Sequence, residues 1–181
     1  KDVVKSSKSL LFDVGFMMLI YYIILMINNL LDLLNSENIY LVANWGVIPF
    51  WLLLIFAPFN SLTNFLVQSI IAPLLLALGY AYLSYNLYLE NNLFDGFELY
   101  NGLDGLYSMF ANETVLLIFW LHFLAISLFL GAWIVRESKK YLIPRIIFIP
   151  SLILTYFTGP VGIVIFWFFR IFFSKKISLN D

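Results

Sequence analysis

The chain has no cysteine and one histidine. Disulfides, thiol nucleophiles and thiolate metal sites are therefore excluded, and so is any metal cage that needs several imidazoles. Charge is scarce as well, with Asp, Glu, Lys and Arg making up 12% of 181 residues. A soluble domain carries about 25%, because charge is what covers its surface. The ten Lys and Arg do not outnumber the eleven Asp and Glu, and net charge is −1, so no basic excess points to nucleic acid. Phosphate loops, catalytic triads and metal-ligand clusters are also missing from the sequence.

Apolar residues fill the space. They form 62% of the chain, aromatics form 19%, and mean hydropathy is +0.93. The charges are bunched, and several runs between them reach the roughly 20 residues that a bilayer core requires of a helix. The fold class expected is all-α integral membrane, with five spans and no internal repeat. Span one runs over about Leu10–Leu31, with Asp13 near its start and Asn28, Asn29 and Asp32 at its far end. Asp13 is expected to snorkel toward Lys5 and Lys8. Span two covers about Tyr40–Phe59, span three about Phe65–Leu87, span four about Thr114–Val135, and span five about Ile146–Phe173.

The stretch Leu89–Glu113 holds Glu90, Asp95, Glu98, Asp104 and Glu113 and no base. Its apolar residues suggest an interfacial segment. Span five is 28 residues long, about 42 Å as a helix, and Gly159-Pro160 interrupts it. One kinked helix is expected, with a re-entrant hairpin as the alternative. On the kinked reading Lys1, Lys5, Lys8, Arg136, Lys139, Lys140 and Arg145 share one side, and Arg170, Lys175 and Lys176 lie opposite. Seven bases against three orient the amino terminus inward. Residue 1 is Lys, so a processed or trimmed amino terminus is expected, with any targeting peptide outside the sequence.

His122 lies within span four, where an ionisable group is a functional candidate by default. It can ligate a pigment metal, donate a proton to a bound oxygen, or simply make an interhelical hydrogen bond. Ser127 and Gly131, four apart, form a small-residue notch for helix packing, and Gly162 serves the same end. Carbonyls freed at Gly159 and Pro160 can face a polar ligand or another helix. Trp45, Trp51, Trp120, Trp133 and Trp167 fall mostly toward span ends, as an interfacial belt requires. Asn112-Glu113-Thr114 matches a glycosylation sequon but abuts the membrane, which favours a chance match.

Three longer motifs carry a resemblance. They are Ala43-Asn44-Trp45-Gly46-Val47-Ile48-Pro49-Phe50-Trp51, the run from Trp120-Leu121-His122-Phe123 to Gly131-Ala132-Trp133-Ile134-Val135-Arg136-Glu137, and Ile149-Pro150-Ser151 through Thr158-Gly159-Pro160-Val161-Gly162. Leu103-Asp104-Gly105-Leu106 fits the segment before the second of them. From about residue 40 to 173 the chain resembles the neoxanthin-synthase-like family, named in plants for abscisic-acid deficiency and also found in bacteria. The resemblance implies a four-helix membrane core over residues 39–173, in a plastid (thylakoid) or bacterial inner membrane. It leaves residues 1–38 as a tail with an added transmembrane helix and residues 174–181 as a basic tail.

Plant members are implicated in converting violaxanthin to neoxanthin, a redox-neutral opening of an epoxide to an allene. That reaction needs an acid at the epoxide oxygen and a base at a neighbouring C–H, with no cofactor required. His122 and Glu137 stand at family positions that can take part as catalytic groups. Asn44, Trp45, Trp120, Gly159 and Pro160, with His122, are the expected contacts to a bound carotenoid, chlorophyll or lipid.

Two departures point away from catalysis. Ser127 stands where the family usually carries Asp, and span one lies outside the family core. The expectation is an accessory, weakly catalytic or non-catalytic subunit of a pigmented or other large membrane complex. Its partners are membrane lipids and other subunits met through residues 10–31, with no nucleic acid. The alternative is a carotenoid isomerase, and a further one is a lipid- or quinone-handling membrane protein.

Overall fold

The computed structural model describes residues 17–18, 20–26, 28–29, 34–69, 71–89, 100, 102–175 and 177. The expectations for Asp13, Asp32, the bases of the amino-terminal tail, most of span one, the acids at 90, 95 and 98, and Lys176 lie outside these residues. Contacts divide the chain into two units, residues 1–39 and residues 40–181. In the first unit the described residues between 17 and 29 are helical and carry exposed side chains such as Met17, Tyr21 and Met26.

Every described element is a helix. They are α1 (Ser36–Gly46), α2 (Ile48–Phe56), α3 (Ser61–Leu66), α4 (Ile71–Leu89), α5 (Leu103–Phe110), α6 (Glu113–Lys140), α7 (Arg145–Thr158) and α8 (Pro160–Ser174). Residues 36–56, 61–89 and 113–140 are each long and apolar enough to cross a membrane, while α7 and α8 are shorter apolar helices.

Local chemistry sets the boundaries. Pro49 sits in the first turn of α2, where no intrahelical donor is needed. Asn60 caps α3 by accepting from the Leu62 amide at 3.0 Å. Asn112 caps α6, its Oδ1 accepting from the amides of Thr114 at 2.9 Å and Val115 at 3.2 Å. The Asn of the apparent sequon is therefore a helix cap, an interaction typically contributing about 1 kcal/mol. Glu113 in the first turn of α6 and Lys139 and Lys140 in the last complement the helix dipole.

α6 is the central helix. It packs along α4 on one side and against α7, α8 and α2 elsewhere, and α5 lies across its start. Leu54, Leu121, Leu128, Ile134, Phe148, Leu152 and Phe166 make the buried core. Large apolar side chains such as Leu75, Leu78, Phe129, Ile153, Val164 and Phe172 are exposed on the outside. Water would penalise that surface and hydrocarbon does not. The chain is an integral membrane protein.

The end of the chain departs from the kinked-helix expectation. Gly159 takes φ 60° and ψ −90°, a backbone state that a side chain would strain, and Pro160 then starts α8. The chain reverses there. Arg170, near the end of α8, lies beside Tyr141, just before α7 begins. A Cβ on Gly162 would fall 2.6 Å from the Ser151 carbonyl oxygen and closer still to Thr155. Only a glycine lets α8 lie directly on the backbone of α7. Residues 145–174 are thus a helical hairpin rather than a single fifth span.

The hairpin also reaches only part of the way along α6. Three contacts fix its register: Gly159 approaches Ser127, Trp133 meets Phe166 with ring centroids 5.6 Å apart, and Glu137 meets Arg170. The tip therefore sits at the middle of α6, about 20 Å from its carboxyl end. Arg170 and Lys175 consequently lie at the same end as Arg136, Lys139 and Lys140, which corrects the placement expected from sequence.

Candidate functional site

The candidate residues fall into three stations along α6. At the first, His122 is exposed on the side facing α4, and its ring lies 6.2 Å from that of Tyr80, tilted by 48°. Gly79 lies beside it against Leu121, whose Cδ1 is 3.4 Å from where a Cβ would stand. His122 makes no hydrogen bond to another described residue, so the interhelical bond that its position allows is not formed among them.

The second station is the surface around the hairpin tip. Trp120 stacks on Phe123 with centroids 5.5 Å apart and planes 25° from parallel. Phe123 and Ser127 both border Gly159, at 3.4 and 3.6 Å from where its Cβ would be. Ser127 is buried, whereas Pro160 is exposed beside it. The indole N–H of Trp120 is buried and has no hydrogen-bond partner among the described residues. Such a donor costs free energy unless something accepts from it. Trp120 and His122 are neighbours in sequence but lie about 200° apart around the helix, so they serve different faces. Asn44 and Trp45 lie on α1, Trp45 exposed, and neither has a ring contact or hydrogen bond to this group. One turn beyond the tip, Trp51 closes the seam: a Cβ on Gly131 would fall 2.8 Å from its Cη2. Trp51 also meets Tyr156 edge-on at 5.3 Å.

The third station is a buried ion pair. Arg170 Nε donates to Glu137 Oε2 at 2.6 Å, with the arginine side chain 1% and the glutamate 13% exposed. The guanidinium carbon also lies 4.9 Å from the Tyr141 ring and 6.0 Å from the Trp133 ring. Trp133 and Glu137 on α6 and Tyr141, which caps its end, follow one another at four-residue spacing. Together they form a stripe that grips the guanidinium by charge and by π-face.

Sequence reading places Arg170 with Lys175 and Lys176 on the side opposite Glu137 and misses this pair. The signal that finds it is an arginine within the otherwise uncharged α8, since a charge in an apolar span is rare without a partner. Glu137 and His122 are 15 positions apart on one helix, about 22 Å. No three His, Cys, Asp or Glu side chains gather into a possible metal site among the described residues.

An all-helical chain with three candidate spans, a half-length hairpin and an ion pair sealed between helices defines a polytopic membrane protein. Within that class it belongs to the ABA DEFICIENT 4-like family, whose model matches residues 38–166. It is 27% identical over 108 residues to the Arabidopsis thaliana protein named Protein ABA DEFICIENT 4, chloroplastic. That match covers 58% of this chain and 49% of the relative, so the chain spans about half the length of the curated protein it matches. No solved structure matches the chain.

Proposed function

We propose that this chain is a non-catalytic accessory subunit of a pigmented membrane complex in a plastid thylakoid. The observation that carries the reading is the separation of His122 from Glu137. Opening an epoxide to an allene requires an acid and a base working on neighbouring atoms, and these two candidates stand about 22 Å apart. Glu137 is moreover engaged by Arg170, and at position 127 a buried serine stands against the hairpin tip with no carboxylate.

What remains exposed suits binding better than turnover. The half-height hairpin leaves the half-buried Trp120–Phe123 stack beside Gly159, an aromatic surface at mid-membrane. A carotenoid, chlorophyll or lipid fits that surface by stacking and apolar contact, and no cofactor is required. His122, an imidazole exposed on an apolar face, supports a second contact to a pigment or a neighbouring subunit. Residues 10–31 are the segment proposed to meet other subunits. The chloroplastic relative supports the plastid location, with a bacterial inner membrane as the alternative.

The competing reading is a carotenoid isomerase, favoured by family membership and by the aromatic surface, which could also hold a polyene substrate. Expression of the unmodified chain in a host that accumulates violaxanthin separates the two. We expect no neoxanthin by pigment chromatography, and conversion would overturn the accessory reading. In native membranes solubilised with mild detergent, the chain should migrate with a large pigment-bearing complex. Deleting residues 1–34 should release it.

A further inference from the structure

The hairpin gathers charge at one end of the helical unit. Arg136, Lys139 and Lys140 end α6, Arg145 begins α7, and Lys175 follows α8; all five side chains are exposed. The turn between α2 and α3 reaches the same end, where Phe59 meets Phe148 at 6.1 Å, and residues 57–60 bring no acid to it. The acid present there among the described residues is Glu137, already bound by Arg170. Neither Arg136, Lys139, Arg145 nor Lys175 has an ion pair among the described residues. The opposite end of α6 carries Glu113 and, on α5, Asp104, without a base among the described residues.

A second feature says what kind of anion fits. Some of the most exposed apolar side chains in the protein are interleaved with these cations. Leu142, at 85% exposure, lies two positions beyond Lys140, and Ile146, at 83%, follows Arg145; Ile177 lies two positions beyond Lys175. Leu142 reaches its position through a left-handed backbone, φ 53°, a conformation rarely adopted by branched residues. A ring of cations mixed with outward-facing apolar side chains, at the end of lipid-facing helices, matches an amphiphile with a negative head and an acyl tail. A free anion would use only the charges, and an acidic protein segment would leave the apolar side chains in water.

We infer that this end of the bundle binds the anionic head groups of membrane lipids, with Arg136, Lys139, Arg145 and Lys175 supplying the charge and Leu142 and Ile146 the acyl contact. Each such base near an anionic surface contributes on the order of 1 kcal/mol, or about fivefold in affinity. The inference does not depend on whether the chain binds pigment or turns over a carotenoid.

The test uses the full chain in a neutral detergent, titrated separately with short-chain phosphatidylglycerol, short-chain phosphatidylcholine and inorganic phosphate, while Tm is followed. Phosphatidylglycerol should raise Tm by roughly 2–4 °C, and the other two should not. The triple variant R136Q/K139Q/R145Q should need at least about tenfold more phosphatidylglycerol for half of the effect. If the variant does not fold, the unmodified chain still decides the matter, because raising salt from about 50 to 500 mM should weaken the response. An equal response to phosphatidylcholine would mean apolar adsorption alone, and a response reproduced by phosphate would mean a free-anion site. Either would overturn the proposal, as would an unaltered response in the variant or at high salt. Silence toward phosphatidylglycerol combined with binding of polyglutamate would assign the surface to an acidic protein partner instead.

Discussion

The two halves of α6 handle their polar residues in opposite ways. Toward its carboxyl end, Glu137 is covered by α8 and satisfied by Arg170, with two aromatic rings against the guanidinium. Toward its amino end, beyond the hairpin tip, His122 stays exposed and Trp120 keeps a buried donor without an acceptor among the described residues. A closed ion pair is a poor place for chemistry, because its charges are already compensated by each other. Unsatisfied groups on an apolar face are where a ligand or partner gains most. The more strongly charged candidate is thus the structural one, and His122 is the polar candidate left exposed.

The comparison breaks first at Arg170. Replacing it with Leu leaves Glu137 buried without its cation, an error that typically costs about 3–5 kcal/mol. Unfolding of the purified protein in detergent should show that loss. The double variant E137Q/R170M should recover much of it, since neither charge is then stranded. If Arg170→Leu were as stable as the unmodified chain, the pair would not be what closes this half.

A middle-sized effect is expected where the halves join. Ser127→Asp places a carboxylate against Gly159 at the level of the hairpin tip, where an unpaired charge costs about 2.5–3.5 kcal/mol. The same unfolding measurement checks this. Gain of violaxanthin conversion by Ser127→Asp, with stability kept, would instead mean that the family's carboxylate belongs to a pocket this chain retains.

The smallest effect on stability is expected at His122. His122→Ala removes an exposed ring with no hydrogen bond among the described residues, so unfolding should shift by no more than about 0.5 kcal/mol. Pigment or subunit retained in the native complex should fall nonetheless. A large stability loss in the isolated protein would show that the amino-terminal half is as self-contained as the other.

Much of this was legible in the residues themselves. Apolar run lengths mark the spans, Asn60 and Asn112 mark helix starts, and the motifs around His122 and Gly159 carry the family. The small residues Ser127, Gly131 and Gly162 announce close approach, though not which helix each one meets. Tryptophan positions are less informative, because Trp51 looks like an interfacial anchor and is instead 3% exposed against Gly131. Arg170 is the clearest omission. Its distance along the chain from Glu137 hides a contact that depends entirely on chain reversal.

By itself the sequence determined that this is a helical membrane protein of its family, because the need to satisfy the backbone in hydrocarbon turns long apolar runs into helices. It also marked Gly159-Pro160 as the point where the last apolar segment is interrupted, since proline removes a ladder hydrogen bond and glycine tolerates unusual backbone angles. Only the tertiary structure decided what the break does. A glycine–proline pair permits a kink or a reversal, and the choice depends on what the following helix can lie against. Here Gly162 fits the backbone of α7 and Arg170 reaches Glu137 on α6, so the chain turns back at mid-height. That one choice brings the basic carboxyl-terminal residues to the end of α6.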